Sequence, residues 1–347
     1  MWTAALHSCC FVPAQAAFQP PVDNSRKPFP HWAHGRPKRG GGSADAAVHP
    51  YIEELAALRY PDWQLEAPQP QPAKSLELTP LHWVDTAEGL QAMVEQLQGC
   101  RHLALDLENH SFRSFQGFTC LMQVSSRDAD WVVDCLALRA HLGPALQPLL
   151  ADPGIVKVLH GADRDVVWLQ RDFHLYLVNM FDTGQAARVL ALPSFGLAHL
   201  LNHFCCVTAD KRWQLADWRV RPLSPPMLHY ARCDTHYLLY IYDRLKQMLL
   251  EEGRQPPTPL ALVLERSRRL TLVLYQKEEW SPVAYQDMLV RWEVSLLLPQ
   301  RVVLAGLLAW RDDVCRTLDE SGGYVLPKAQ LLLLAKNMPG NGADLAP

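Results

Sequence analysis

The sequence predicts an α/β domain built on a mixed sheet flanked by helices, followed by a small all-helical region. Three observations carry that expectation. Apolar strand patterns come first, one after another, between residues 101 and 134. Strand and helix patterns then alternate as far as about residue 250. Beyond the proline-rich break at 254–259, only helical periodicity remains.

The chain has 347 residues, enough for one sizeable α/β domain and a smaller one. A net charge of −3 excludes a globally basic nucleic-acid coat, so any nucleic-acid contact must come from local basic residues or a bound metal. Nine cysteines, with the adjacent pairs Cys9–Cys10 and Cys205–Cys206, make neither a disulfide framework nor a zinc pattern. A reducing compartment, cytosol or nucleus, fits best. No apolar run reaches the ~18–20 residues that span a bilayer. The N-terminus lacks a basic region, and its first arginine is Arg26, so neither a signal peptide nor a transit peptide is expected.

In chain order, residues 1–48 read as a linker too rich in proline and glycine to build a core. Its Pro37-Lys-Arg element suits a weak nuclear-import signal or a basic linker equally well. Residues 49–77 read as a strap with one short helical patch. The main domain should span 78–253. Strands are expected at 101–108, 118–124, 130–134 and 155–159, with helices at about 138–150 and 163–172. One long helix should run over 225–250, because Pro225 and Pro226 suit its first turn. Residues 254–294 read as a helical linker. An amphipathic helix at 301–311, a turn at 322–327 and a last helix, Lys328–Lys336, fall in the final segment, 295–347.

Three elements carry chemistry. Asp106 and Glu108 stand two apart on the first strand, so both side chains point to one side. Two carboxylates converging beside an apolar strand repel each other, and a shared hard cation such as Mg²⁺ or Mn²⁺ relieves that repulsion. Taken alone, the pair reads more simply as a solvent-facing acidic strand end. In His160-Gly-Ala-Asp-Arg-Asp165 a strand passes through a glycine turn into a helix start. Asp163 and Asp165 compete there for a catalytic role, and Asp163 reads better as a helix-capping residue. Tyr230 and Asp234, four apart, share one face of the long helix.

In this order the three elements resemble the DEDD exonuclease superfamily in its tyrosine subclass. The segments FRSFQGFTCLMQVSS, VLHGADRDVVWLQRDF, NMFDTGQAARVL, QLADWRVRPL and YARCDTHYLLYIYD resemble the RNase D-like catalytic subunits of the eukaryotic nuclear RNA exosome. That resemblance covers residue 49 to the C-terminus. It implies an RNase H-like mixed sheet and a 3′→5′ exoribonuclease acting on single-stranded RNA with two divalent metal ions, Mg²⁺ or Mn²⁺. It further implies the exosome core and its cofactors as partners, and nuclear RNA processing, including rRNA, in the nucleus and nucleolus. By motif, Asp106 would bridge both metals, Glu108 and Asp234 would complete the water-activating site, and Asp165 would hold the second metal. Tyr230 would position the attacking water and help deprotonate it.

For the substrate, the expected contacts are His160 to the terminal nucleotide, Trp168 by stacking on a base or ribose, and Lys211 to a phosphate. Trp168 reads equally well as a core residue, and Arg212, Arg219 and Arg221 as groups that hold their loop. LLAWRDDVCRTLDESGGYVLP resembles the start of an HRDC domain, whose bundle would here be incomplete. Cys233 departs from the family, which carries an acidic residue there. A non-catalytic RNA-binding scaffold and a DNA exonuclease of the same superfamily are the competing readings.

Overall fold

The structure is a computed structural model that describes residues 48–253, 255–281 and 283–340. The Pro37-Lys-Arg element and the rest of the expected linker lie outside the described residues. The described chain divides into two units, the larger within Pro20–Asn109 and Thr119–Tyr275, the smaller within His110–Phe118 and Gln276–Pro347.

The larger unit opens with two short helices, α1 (Ile52–Ala56) and α2 (Asp62–Leu65), followed by β1 (Leu81–Val84) and α3 (Ala87–Leu97). Next come β2 (His102–His110), β3 (Phe118–Ser125), β4 (Asp130–Asp134) and α4 (Arg139–Leu150). Then follow β5 (Val156–Leu159), α5 (Asp165–Phe173), β6 (Met180–Asp182), α6 (Thr183–Val189) and α7 (Leu197–Cys205). The last helices are α8 (Pro225–His236), α9 (Leu238–Glu251) and α10 (Pro259–Thr271). The six strands form one sheet in the order β1-β4-β3-β2-β5-β6. β3 and β4 pair antiparallel, whereas β1–β4, β2–β5 and β5–β6 pair parallel, which makes the expected mixed sheet.

Period-two alternation on β2 decides what faces where. Leu103, Leu105 and Leu107 join one core with α3, α4 and α5, while Ala104 joins the other with Val156, Val158 and helices α6, α7, α9 and α10. Asp106 and Glu108 continue the Ala104 face. A residue one place out of register would have put both carboxylates into the leucine core.

Several elements differ from expectation. β1, α3, β6, α6 and α7 had no expected counterpart; β1 and β6 are only four and three residues long, too short for alternation to register. The long helix is two, broken at Tyr237. Just before that break the His236 ring bonds Asp130 Oδ2 and the Lys74 carbonyl, both at 2.8 Å, a restraint that no local pattern encodes. α10, expected in a linker, belongs to the larger unit, where Leu260, Val263 and Leu264 fill the second core.

The smaller unit holds α11 (Ala284–Trp292), α12 (Leu298–Leu318), α13 (Gly322–Val325) and α14 (Lys328–Asn337). α13 is a helical turn where a plain turn was expected. Leu289, Leu296, Leu304, Leu308, Leu331 and Ala335 form the unit's core. The 110–118 segment is fastened within it. Arg113 grips Glu320 through Nε and Nη2 and lies 3.9 Å from the centre of the Tyr324 ring, while Ser114 Oγ and the Phe115 amide donate to Asp319.

Candidate active site

The site gathers at the carboxyl ends of the parallel strands, where open α/β sheets usually hold ligands. β2 and β5 pair through Ala104 and Val158, and two residues further on come Asp106 and His160. Asp165 follows in the first turn of α5, where a carboxylate suits the helix dipole. α8 brings the rest. Ser224 caps it by accepting from the Met227 amide, Pro225 and Pro226 fill its first positions, and Tyr230 and Asp234 then share one face.

Asp106, Glu108 and Asp234 each place a ligand-type oxygen within 4.8 Å of the others. Burial raises the pKa of Asp106 above the usual carboxylate range. Burial comes first again for Glu108, followed by repulsion from Asp106, Asp234 and Asp165. Asp165 and Asp234 are likewise raised, first by burial and then by Asp106. Four carboxylates thus share one field in which none ionises easily, and two of them, Asp165 and Asp234, are each 7% exposed. Oxygen donors packed at this density fit hard divalent cations, whose charge offsets the repulsion. Asp165 is the buried member of its pair and Asp163 the exposed one.

Asp106, Glu108 and Asp234, but not Asp165, line a cavity of about 380 Å³ together with Tyr230, His160, Lys211, Gln214 and the start of α7. Tyr230 donates its hydroxyl to Asp234, and burial followed by the carboxylates holds its pKa above that of a free phenol. In the metal-free protein, beside uncompensated carboxylates, this phenol is a hydrogen-bond donor. Cys233 does not line the cavity; its sulfur lies 3.6 Å from His229 Nε2.

His160 lines the cavity, and its Nδ1 lies 2.9 Å from Thr183 Oγ1. The Thr183 hydroxyl gives its single proton to the Leu159 carbonyl at 3.1 Å, so toward His160 it accepts. This assigns the ring proton to Nδ1 and leaves Nε2 a bare acceptor. Lys211 also lines the cavity and, among the described residues, makes no ion pair. Its neighbours Arg212, Arg219 and Arg221 are taken by Asp210, Asp217 and Asp134. Trp168 is the exception among the expected contacts. It does not line this cavity, and its indole packs against the leucine core.

Asp182 was not singled out from the sequence. Fully buried at the end of β6, it accepts from the amides of Gly161, Ala162, Gly184 and Gln185. It thereby fixes the turn between His160 and Asp165, where Gly161 has φ +63°. A Cβ on Gly184 would come within 3.3 Å of the Gly161 nitrogen, so α6 starts hard against that turn. Only the position of Asp182 between a short apolar strand and a Thr-Gly pair hinted at this.

Fold and site together define a DEDD-type 3′-5′ exonuclease domain. Residues 81–250 match the 3′-5′ exonuclease family, and residues 300–346 match the HRDC domain. The chain is 48% identical over 295 residues to exosome complex component 10 of Rattus norvegicus, covering 85% of this chain and 33% of the rat protein. It is 44% identical over 321 residues to protein RRP6-like 1 of Arabidopsis thaliana, covering 92% and 50%. Among solved structures, the catalytic core of RRP6 from Trypanosoma brucei matches with a TM-score of 0.80 at 42% identity, covering 87% of this chain and 82% of that one. The chain belongs to this RNase D-like family of RRP6 and exosome complex component 10. It spans between a third and a half of the length of these two full-length relatives.

Proposed function

We propose that the protein is a 3′→5′ exoribonuclease that removes nucleoside 5′-monophosphates one at a time from the free 3′ end of single-stranded RNA. The observation that carries this reading is the convergence of Asp106, Glu108 and Asp234 within 4.8 Å, beside Tyr230, in one cavity. Asp106, Glu108, Asp165 and Asp234 would hold two divalent cations, Mg²⁺ or Mn²⁺. When bound, such a pair stabilises the entering and leaving oxygens of an in-line displacement at phosphorus.

The protein's own residues do the rest. Asp106, Glu108 and Asp234 fix where positive charge sits. The Tyr230 hydroxyl, anchored on Asp234, orients the attacking water. Lys211, which lines the cavity, takes a substrate phosphate. His160 Nε2 is suited to accept from a hydroxyl of the terminal ribose. Most of the rate gain in this reading is positioning and charge stabilisation.

The relatives named exosome complex component 10 support association with the RNA exosome, and with it the protein would serve nuclear RNA processing and decay, rRNA maturation and surveillance included, in the nucleus and nucleolus. No helix among the described residues is long and apolar enough to cross a membrane. The deciding experiment is 5′-labelled single-stranded RNA incubated with Mg²⁺, with and without EDTA, beside the same sequence in DNA. A ladder shortening from the 3′ end, abolished by EDTA, is expected. An inert protein that still binds RNA would establish the scaffold reading, and faster loss of the DNA would establish the deoxyribonuclease.

A further inference from the structure

Gln123 lies in the middle of β3, opposite Val132 of β4, and has no exposed surface. Its amide falls short of regular hydrogen-bond geometry with the described residues, but it lies close enough to the Glu108 carboxyl to stabilise the ionised form. Glu108, on the adjacent strand β2, is the group within reach of the amide. A fully buried carboxamide without a partner destabilises the fold that contains it. On most of β3 the neighbouring positions are filled as core positions usually are, with Leu121, Met122 and Val124, all buried. Packing alone therefore does not account for an amide at position 123.

Its geometry suggests another role. An ionised carboxylate only accepts, and a carboxamide nitrogen carries two donors. With Nε2 turned to Glu108, one carboxylate oxygen is held by the amide, and the other is left to face Asp106 and Asp234. A ligating carboxylate is usually held in this way by a hydrogen bond from behind. We infer that Gln123 is the positioning residue of Glu108: its buried amide donates to the Glu108 carboxylate and aims the free oxygen at the cation that Glu108 shares with Asp106 and Asp234. This rests on the metal-site reading above. Gln123 touches neither RNA nor metal and acts through Glu108.

The test is Gln123→Met, which keeps roughly the volume and removes the donor, with Gln123→Leu as a second apolar replacement. Mn²⁺ is titrated by calorimetry into metal-stripped protein, and the Tm of the metal-free protein is measured alongside. Loss of a group that orients a metal ligand typically weakens the metal about 10–100-fold. The expected result is Mn²⁺ affinity lowered by about that factor, a metal-free Tm equal to or above wild type, and RNA cleavage that recovers as Mg²⁺ is raised. A residue that merely supports the fold would do the reverse, lowering Tm in the metal-free protein. Mn²⁺ affinity within twofold of wild type in either folded variant overturns the proposal. So does a fall in metal-free Tm in both. If wild type itself takes up no Mn²⁺, the metal site and the role of Gln123 fall together, whereas wild-type binding matched by the variants removes only Gln123.

Discussion

Tyr230 and Asp234 face one cavity from consecutive turns of α8, and the phenol of the first bonds the carboxylate of the second. In the proposed reading, one helix supplies both a metal ligand and the group that orients the attacking water. Because the two share a helix, their separation is set by helical pitch and not by a loop. The buried network behind α8 fixes the helix in turn: Arg232 and His236 both bond Asp130, and Arg232 also bonds the Thr79 carbonyl.

The charge of Asp106 raises the pKa of each of the other three carboxylates, after burial. Asp106→Asn should therefore abolish hydrolysis while leaving the metal-free fold as stable as wild type or more so, because a buried carboxyl that resists ionisation becomes a neutral amide. Initial cleavage rates and the metal-free Tm, taken together, check this. Appreciable residual activity at ordinary Mg²⁺ would remove Asp106 from the proposed centre.

A 3′-phosphate should block the enzyme, and a 5′-phosphate should not. The 3′ end is proposed to sit between Glu108 and His160, both lining the cavity. A terminal phosphate there would meet carboxylates, and it replaces the 3′-hydroxyl from which His160 Nε2 could accept. Two labelled RNAs differing only in which end carries phosphate give the answer. Equal decay of both, or products cut internally, would refute an exonuclease.

Much of the site was legible in the sequence because its spacing rules are local. Asp106 and Glu108 follow the period of a strand, and Tyr230 and Asp234 that of a helix. What stayed hidden depends on partners remote in the chain. Asp182 serves a turn about twenty residues earlier, its bond to Gly161 spanning 21 positions. Gln123 looks in sequence like a polar interruption of an apolar strand, and only the pairing of β3 with β2 brings it beside Glu108. Trp168 was ambiguous for the opposite reason. One turn after Asp165 it shares the helix, but only tertiary packing decides whether that face meets a ligand or the core.

The strap should loosen in acid through His49. This residue is 5% exposed, its Nδ1 accepts from the Tyr51 amide at 3.1 Å, and burial lowers its pKa to about 4. Folding therefore favours the neutral ring. Its contribution is fully present above the unfolded value of about 6.5 and is lost as pH falls toward about 4. The loss is on the order of 3 kcal/mol at most. His49→Gln removes this titration. Denaturant unfolding at pH 7.5, 6, 5 and 4 should show the stability gap between wild type and variant narrowing as pH falls, and a constant gap would exclude His49 as the source.

Tyr230→Phe separates orientation from packing. The ring lies 6.1 Å from the buried Trp218 ring, and Phe preserves that contact while deleting the hydroxyl bonded to Asp234. What the substitution removes is the hydroxyl bonded to Asp234, which in the proposed reading is the fixed point for the attacking water. Orienting and general acid–base groups are typically worth about 10²–10⁴-fold in rate. The single-turnover rate should fall within that range. Metal affinity should change little, since all four carboxylates remain. RNA affinity should also hold, because the phosphate contact proposed for Lys211 and the ribose contact proposed for His160 are untouched. Binding is measured in Ca²⁺, which is expected to support association without turnover, and cleavage in Mg²⁺. A rate within threefold of wild type would reduce Tyr230 to a packing residue. Loss of RNA binding together with rate would place the damage in α8 itself, and the Tm of the variant would show it as a fall that a hydroxyl deletion at an intact helix does not produce.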